Sequence, residues 1–176
     1  MKHVTIISTS LNEDSKSQLL ARQFAEKLLE ASVSVKLMDL REFALPFSGT
    51  REGWESSQAQ HLKAEVERSS HIVFAVPIYC YDVNSAAKNV IELIGRAFTK
   101  KVISFICSAG GSGSYMSIMG FANHLMLDFR SVIVPRFLYV SQDDWKEEGE
   151  IKPEIDERMS KLLDDMREIQ VISTSS

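Results

Sequence analysis

The sequence is poor in residues that hold metal ions or form disulfides. Its two cysteines, Cys80 and Cys107, lie in unrelated segments without CxxC spacing, and none of the four histidines stands four residues from another. A structural zinc site is therefore unsupported. Because the first residues do not resemble an export signal, we expect both cysteines to be free thiols in the reducing cytoplasm.

Long hydrophobic runs and an excess of positive charge are absent too. No apolar run approaches the roughly 20 residues that span a membrane. The 20 Lys and Arg against 24 Asp and Glu give a net charge of -4 and a pI near 5.6, and no Lys/Arg block stands out. Neither nucleic acid nor a membrane surface is therefore expected as a partner.

The composition is instead that of a folded globular protein. The 176 residues are 44% hydrophobic and 25% charged, which is enough to bury a core without disulfide or metal support. We expect one domain over residues 1–176.

Hydrophobic periodicity alternates between strand and helix along the whole length. Short runs rich in β-branched residues predict five buried strands, and helical stripes follow them. The predicted strands cover residues 3–8, 32–40, 71–77, 101–108 and 131–140. The predicted helices cover residues 15–31, 58–69, 86–98, 115–129 and 153–169, with a loop over 41–57.

Five strand and helix units in succession imply right-handed crossovers and a parallel sheet with helices on both faces. Five units suit an open doubly wound sheet, whereas an eight-stranded barrel needs eight units and roughly 250 residues. Such sheets bind ligands at the carboxyl ends of their strands, near the point where strand order reverses. The loops after the first, third and fourth strands are therefore the candidate site.

The first of these loops, "STSLNEDSKS", places five hydroxyl side chains between residues 8 and 17. Ser15 stands three residues before Gln18, which predicts a capping box at the start of the first helix. The unpaired N–H groups and partial positive charge of a helix N-terminus favour a phosphate, and nearby serine hydroxyls would add hydrogen bonds. The loop thus predicts phosphate binding, with an ordinary capped turn as the alternative.

Two other kinds of phosphate loop do not fit. The sequence contains no GxxxxGK[ST] motif, which disfavours a Walker-type NTPase. Gly110, Gly111 and Gly113 follow the fourth strand rather than the first, and Met116 occupies the third glycine position of GxGxxG. A Rossmann dinucleotide site is therefore the weaker interpretation.

The other two loops carry aromatic residues and glycines. "PIYCYDVNSAAKN" ends a buried strand with Tyr79 and Tyr81, which would form flat walls of a ligand pocket or pack under the next helix. "SAGGSGSYMS" has three glycines in four residues, which lets the backbone approach a planar ligand; a flexible turn is the alternative.

Together, "STSLNEDSKSQLLA", "VPIYCYDVNSAAKNVIELI" and "CSAGGSGSYMS" resemble the NAD(P)H-dependent FMN reductase family. The likeness runs from about residue 4 to residue 129. It implies a flavodoxin-like three-layer sandwich, with a five-stranded parallel sheet between helices on both faces. The chain departs from the family pattern at three places: Leu11 stands where the family often has Arg, Asn84-Ser85 replaces its Pro-Gly, and Ala87 replaces its Leu.

The resemblance also implies which residues contact the cofactor. The FMN phosphate would be bound by Ser10, Ser15 and Ser17, and the isoalloxazine edge by Pro77, Ile78 and Tyr79. The pyrimidine side of the ring would meet Ser108, Gly110, Gly111 and Gly113. Ser8, Lys16, Cys80, Ala109 and Tyr115 complete the predicted cofactor site. No catalytic side chain is named, because hydride transfer to a flavin requires no acid or base from the protein.

The implied function is transfer of hydride from NAD(P)H to bound FMN and then to a small acceptor such as free flavin or a quinone. Three alternatives remain open: a quinone or azo-compound reductase on the same fold, a flavodoxin-like electron carrier, and a module whose flavin pocket has degenerated. The resemblance further implies a homodimer or homotetramer, and because no export signal is recognised we expect the protein in the cytoplasm. The methionine-rich segment "SYMSIMGFANHLMLDF" is consistent with an interface or with an unusually well-buried helix.

Overall fold

The runs rich in β-branched residues pair into one sheet in the computed structural model, which describes residues 1, 3–146 and 150–171, apart from the side chain of Trp54. The strands are β1 (His3–Ser8), β2 (Ser34–Asp39), β3 (His71–Tyr79), β4 (Asp82–Val83), β5 (Val102–Ser108), β6 (Val132–Ile133) and β7 (Leu138–Val140). The helices are α1 (Lys16–Glu30), α2 (Arg51–Glu55), α3 (Ser57–Arg68), α4 (Ser85–Ile94), α5 (Ile118–Phe129) and α6 (Pro153–Glu168).

The strands lie in the order β2-β1-β3-β5-β6, with β7 also paired to β5, and all of these pairs are parallel. Strand order reverses between β1 and β3, because the chain moves first to β2 on one side of β1 and then to β3 on the other. This arrangement confirms the predicted flavodoxin-like sheet. It also places the crevice for a ligand at the carboxyl ends of β1 and β3.

Helices cover both faces of the sheet and enclose two apolar clusters. On one face, α1 and α6 bury Leu20, Phe24, Leu28, Met159 and Leu162 against the strands. On the other face, α3, α4 and α5 bury Leu62, Val66, Ile91, Phe121 and Leu125. Because both faces are covered, the central strands are buried along almost their whole length. No helix in the described part of the chain is long and apolar enough to cross a membrane.

The structure differs from the sequence-based prediction at five places. Helix α2 lies inside the predicted loop over 41–57, where Thr50 caps it by accepting a hydrogen bond from the Gly53 N–H. The fifth strand is broken into β6 and β7 around Pro135, which has no N–H to donate. The predicted helices over 86–98 and 115–129 include 3-10 turns, at Gly95–Phe98 and Ser112–Ser117. The short antiparallel strand β4 was not predicted at all.

Gly95, at the end of α4, is a tightly packed position that tests this core. A Cβ atom added there would lie 2.2 Å from Cζ of Phe129, whose ring packs against the cluster under α3, α4 and α5. We expect Gly95→Ala to lower the free energy of unfolding by about 1–3 kcal/mol, the usual cost of overpacking, in urea denaturation. Gly120→Ala is the control: nothing lies within 4 Å of its added Cβ on α5, so we expect a gain of about 0.5–1 kcal/mol. Equal midpoints for the two variants would contradict this packing.

Candidate functional site

The three predicted loops meet at the carboxyl edge of the sheet and enclose two adjoining clefts. The hydroxyl cleft has a volume of about 280 Å³ and is lined by Ser10, Asn12, Asp14, Ser15, Lys16, Ser17, Pro77, Ile78, Tyr79, Ser108, Ala109, Gly110 and Gln142. The glycine slot has a volume of about 240 Å³ and is lined by Ile78, Cys80, Tyr81, Gly111, Gly113 and Ser114. Ile78 lines both. Each volume lies below the roughly 300–1,000 Å³ typical of cofactor-sized pockets, so a cofactor would need both.

Most of the residues predicted from sequence line one of these clefts, but two do not. Ser8 is fully buried at the end of β1, and its hydroxyl has no hydrogen-bond partner among the described residues. Tyr115 packs its ring against Phe137, at 4.9 Å between centroids, and edge-on against Tyr139, at 5.4 Å. Neither side chain lines the hydroxyl cleft or the glycine slot.

The first turn of α1 forms one end of the hydroxyl cleft. The Ser15 hydroxyl accepts a hydrogen bond of 3.1 Å from the Gln18 N–H and lies 3.0 Å from the Ser17 hydroxyl. The capping box is only half formed, because the Gln18 side chain donates to the Asp39 carboxylate instead. The other N–H groups of this turn have no carbonyl partner within the helix and are suited to hold an anion.

Asp39, the last residue of β2, and Arg41, in the turn after it, hold the first loop from outside the cleft. The Arg41 guanidinium donates to both oxygens of Asp39 and, through Nη1, to the carbonyl of Glu13 at 3.1 Å. Burial by itself raises the pKa of Asp39, but hydrogen bonds from Arg41 and Gln18 together hold that pKa below its ordinary value. The ionised pair fixes the loop, although its own charges largely cancel.

Lys16 supplies a positive charge at the rim of the cleft. Its ammonium lies 2.5 Å from Oε1 of Gln142 and 5.2 Å from the centroid of the Trp145 ring, so the segment after β7 holds it in place. Asp14 brings a negative charge to the same rim. Attraction for an anion therefore depends on Lys16, the hydroxyls and the N-terminus of α1 acting together.

Thr9 and Asn84 join the first loop to the second. The Thr9 hydroxyl donates to Oδ1 of Asn84, and Nδ2 of Asn84 donates to the carbonyl of Thr9, both at 2.7 Å. Both residues are buried. The departure from the family pattern at Asn84 thus forms a reciprocal contact that sets the spacing between two walls of the site.

The glycine-rich loop presents open backbone to the ligand space. A Cβ added to Gly110 or Gly111 would find nothing within 4 Å. From strand β7, the Tyr139 hydroxyl donates to the carbonyl of Gly111 and lies 2.6 Å from the Ser114 hydroxyl. A flat ligand could therefore approach this backbone closely, while Tyr139 keeps the loop in place.

A known protein family matches most of this chain. The sequence profile of the NADPH-dependent FMN reductase family matches residues 1–145. The chain belongs to the NADPH-dependent FMN reductase family. Membership makes it a flavin-dependent NAD(P)H oxidoreductase by family, as the motifs of the three loops predicted.

Solved structures of oxidoreductases share the fold of this FMN reductase family member at low sequence identity. The apo form of the NADH:FMN oxidoreductase EMOB superposes with a TM-score of 0.80 at 10% identity, covering 98% of this chain and 92% of that one. An oxidoreductase from Corynebacterium diphtheriae superposes with a TM-score of 0.78 at 16% identity, covering 99% of each chain. FerB, a flavoenzyme NAD(P)H:(acceptor) oxidoreductase from Paracoccus denitrificans, gives 0.74 at 19% identity, covering 97% of this chain and 100% of that one.

Several lining residues of this family member were missed from the sequence. Gln142 follows β7 and lies beyond residue 129, where the sequence motifs of the resemblance end, although the family profile extends to residue 145. The rule that ligands lie at the carboxyl ends of strands could have indicated it, had it been applied to the fifth strand as well. Asn12 and Asp14 lie between predicted serines and carry no signal of their own. The contacts of Arg41 and Tyr139 depend on tertiary structure, and no sequence pattern indicates them.

Proposed function

We propose that this chain binds FMN across the hydroxyl cleft and the glycine slot, oxidises NAD(P)H, and reduces a small acceptor such as a quinone or free flavin. Bound FMN would accept a hydride from NAD(P)H and pass two electrons to the acceptor. The observation that supports this most is the position of an anion-binding helix N-terminus beside a glycine-walled slot on one edge of the sheet.

The hydroxyl cleft suits a phosphate at its α1 end. Ser10, Ser15 and Ser17 are nearly fully buried yet line the cleft, so their hydroxyls are available as further donors to a phosphate at this end. Lys16 would add a positive charge, in place of the loop arginine common in the family. These groups fit a phosphate that is held mainly by neutral donors and a helix dipole.

The glycine slot and the adjoining strand end suit a flat ring. Pro77, Ile78 and Tyr79 line the edge of the hydroxyl cleft from the end of β3. Facing them, Gly110, Gly111 and Gly113 have no side chains, and the backbone of this loop would offer N–H groups to a ring that gains negative charge on reduction. In this arrangement the protein orients the two reactants and keeps the ring against fixed dipoles, with no side-chain acid or base.

A visible absorption spectrum of the purified protein, before and after addition of FMN and then NADPH, tests this function. We expect flavin bands to shift on binding and to bleach when NADPH is added without a partner protein. Riboflavin, which lacks only the phosphate, should bind at least about 100-fold more weakly, a difference of about 2.7 kcal/mol. A protein that binds FMN but does not oxidise NADPH would instead support an electron carrier, and one that takes up no FMN would contradict the proposal.

We also propose that the chain forms a homodimer or homotetramer through the outer face of α5. Ile118, Phe121 and Leu125 of this helix are buried, while Met119, Met126 and Leu127 are exposed, Leu127 to 82%. An apolar outer face of this kind is typical of an interface. Light scattering should give the mass of an oligomer for the parent chain and a lower mass for Leu127→Glu; a monomeric parent would contradict the proposal.

A further inference from the structure

The turn between β3 and β4 has an unfavourable backbone conformation beside the glycine slot. Ile78 pairs with Val83 and Tyr79 with Asp82, so Cys80 and Tyr81 form a two-residue hairpin turn. Their φ angles are +51° and +61°. Such turns favour Asn-Gly, because side chains are disfavoured in the left-handed region. A cysteine and a tyrosine in these positions suggest that their side chains, rather than their backbone preferences, matter there.

Packing does not explain these two side chains. Cys80 is exposed, and 73% of Tyr81 is accessible to solvent. In the described part of the chain, three other non-glycine residues have positive φ, namely Ser32, Lys100 and Arg130, and each stands alone and away from the two clefts. Two adjacent residues with positive φ therefore occur at the turn whose side chains line the glycine slot.

Tyr81 reaches from the hairpin turn towards the glycine-rich loop. Its hydroxyl would lie 3.6 Å from a Cβ atom on Gly113, which belongs to the opposite wall of the glycine slot. The ring thus crosses the gap between two walls of a cleft of only about 240 Å³. A cofactor ring in that slot would leave little width at its mouth for a second molecule.

We propose that Tyr81 is a specificity-determining residue that limits which electron acceptors reach the cofactor. Its ring narrows the mouth of the glycine slot, so a flat single-ring acceptor such as a benzoquinone enters and an acceptor of three fused rings is hindered. This inference rests on the proposed function and selects quinones of one ring over free flavin among its acceptors. In the reaction, NADPH, a proton and the quinone give NADP⁺ and the hydroquinone.

The test compares Tyr81→Gly with the parent chain, both saturated with FMN and assayed anaerobically with NADPH. The acceptors are 1,4-benzoquinone and anthraquinone-2-sulfonate, which are both para-quinones, the second wider by two fused rings; their other differences are the same for parent and variant. We expect the ratio of kcat/KM for the wide acceptor to that for the narrow one to rise at least about 10-fold in the variant. This ratio does not depend on the fraction of protein that carries flavin.

A second measurement needs no cofactor. Because glycine relieves the left-handed conformation, Tyr81→Gly should raise the melting temperature of the flavin-free protein by about 2–4 °C. Ser32→Gly is the matched control: it relieves the same conformation in an exposed turn before β2, at the opposite edge of the sheet. It should raise the melting temperature similarly and leave the acceptor ratio unchanged.

Each possible outcome bears on a different claim. An acceptor ratio that stays within about twofold of the parent value, in a parent that reduces benzoquinone, would overturn the role of Tyr81 and leave the proposed function standing. A lower melting temperature for Tyr81→Gly would show that the tyrosine stabilises the fold, and would also overturn the inference. A parent that oxidises no NADPH with benzoquinone would overturn the proposed function, and the inference with it.

Discussion

Gly111→Val is expected to weaken FMN binding by at least about 100-fold while leaving the free energy of unfolding almost unchanged. The φ of −156° at Gly111 is an extended conformation that valine adopts readily, and a Cβ there meets nothing within 4 Å. The protein alone therefore tolerates the side chain. An FMN ring lying against this backbone would be displaced, because the methyl groups of the valine would occupy the same space.

The measurement is fluorescence titration of FMN together with urea unfolding of the flavin-free protein. A 100-fold loss corresponds to about 2.7 kcal/mol of binding free energy, whereas we expect the stability to change by less than about 0.5 kcal/mol. Gly120→Ala, which is equally open but lies on α5, should bind FMN as the parent does. Unchanged FMN affinity in Gly111→Val would place the ring elsewhere.

Arg41→Ala is expected to produce the largest loss of stability, about 2–3 kcal/mol at pH 7. The Asp39 side chain is only 8% exposed and that of Arg41 25% exposed, so removing the guanidinium leaves a nearly buried carboxylate without its cation. The same change frees the carbonyls of Asn12 and Glu13, and we expect FMN affinity to fall about 3- to 10-fold as the first loop loosens. Urea denaturation and FMN titration measure the two effects.

The pH dependence of the stability loss in Arg41→Ala shows whether the unpaired Asp39 carboxylate causes it. In the parent, the pKa of Asp39 lies below its ordinary value, so this group stabilises the fold above the unfolded-state pKa, and that stability is lost as the pH falls through the folded-state pKa. Without the Arg41 side chain, burial still raises the pKa of Asp39 while its main lowering contact is gone, so this pKa is higher in the variant than in the parent. The stability deficit of Arg41→Ala should therefore be largest at pH 7 and should shrink as the pH falls through the pKa of Asp39 in the variant, where the unpaired carboxylate takes up a proton.

Arg51→Ala serves as the control for loss of a surface charge. Arg51 pairs with Glu55, but both side chains are largely exposed, so we expect a change below about 0.5 kcal/mol. A deficit in Arg41→Ala that stays constant from pH 7 to pH 4 would show that Asp39 does not cause it.

Local patterns in the sequence were enough to predict the sheet and most of its helices. The β-branched runs predicted β1 at its observed bounds and β5 with one extra residue at its start, because strands buried on both faces are apolar along their whole length. The β3–β4 hairpin was missed, because Cys80-Tyr81 carries none of the usual turn residues. Helix α2 was missed because a five-residue helix has too few turns for a periodic stripe.

The candidate site was predicted in outline from loop composition. Serines at a helix N-terminus and glycines after a strand have local reasons to favour a ligand, so Ser15, Ser17 and Gly111 were found from the sequence. Ser8 was assigned from the first loop and Tyr115 from the family resemblance, but neither residue lines either cleft. Which way a side chain points depends on its neighbours in space, and the sequence does not show those neighbours.

The sequence by itself determined the order of strands and helices, and therefore which loops share one edge of the sheet, because right-handed crossovers leave few ways to connect five parallel strands. Only the tertiary structure decided how those loops are held. Three hydrogen bonds hold them, between residues 28, 75 and 126 positions apart: Arg41 with Glu13, Thr9 with Asn84, and Lys16 with Gln142. Contacts at such separations follow from packing of the whole chain, which no local pattern encodes.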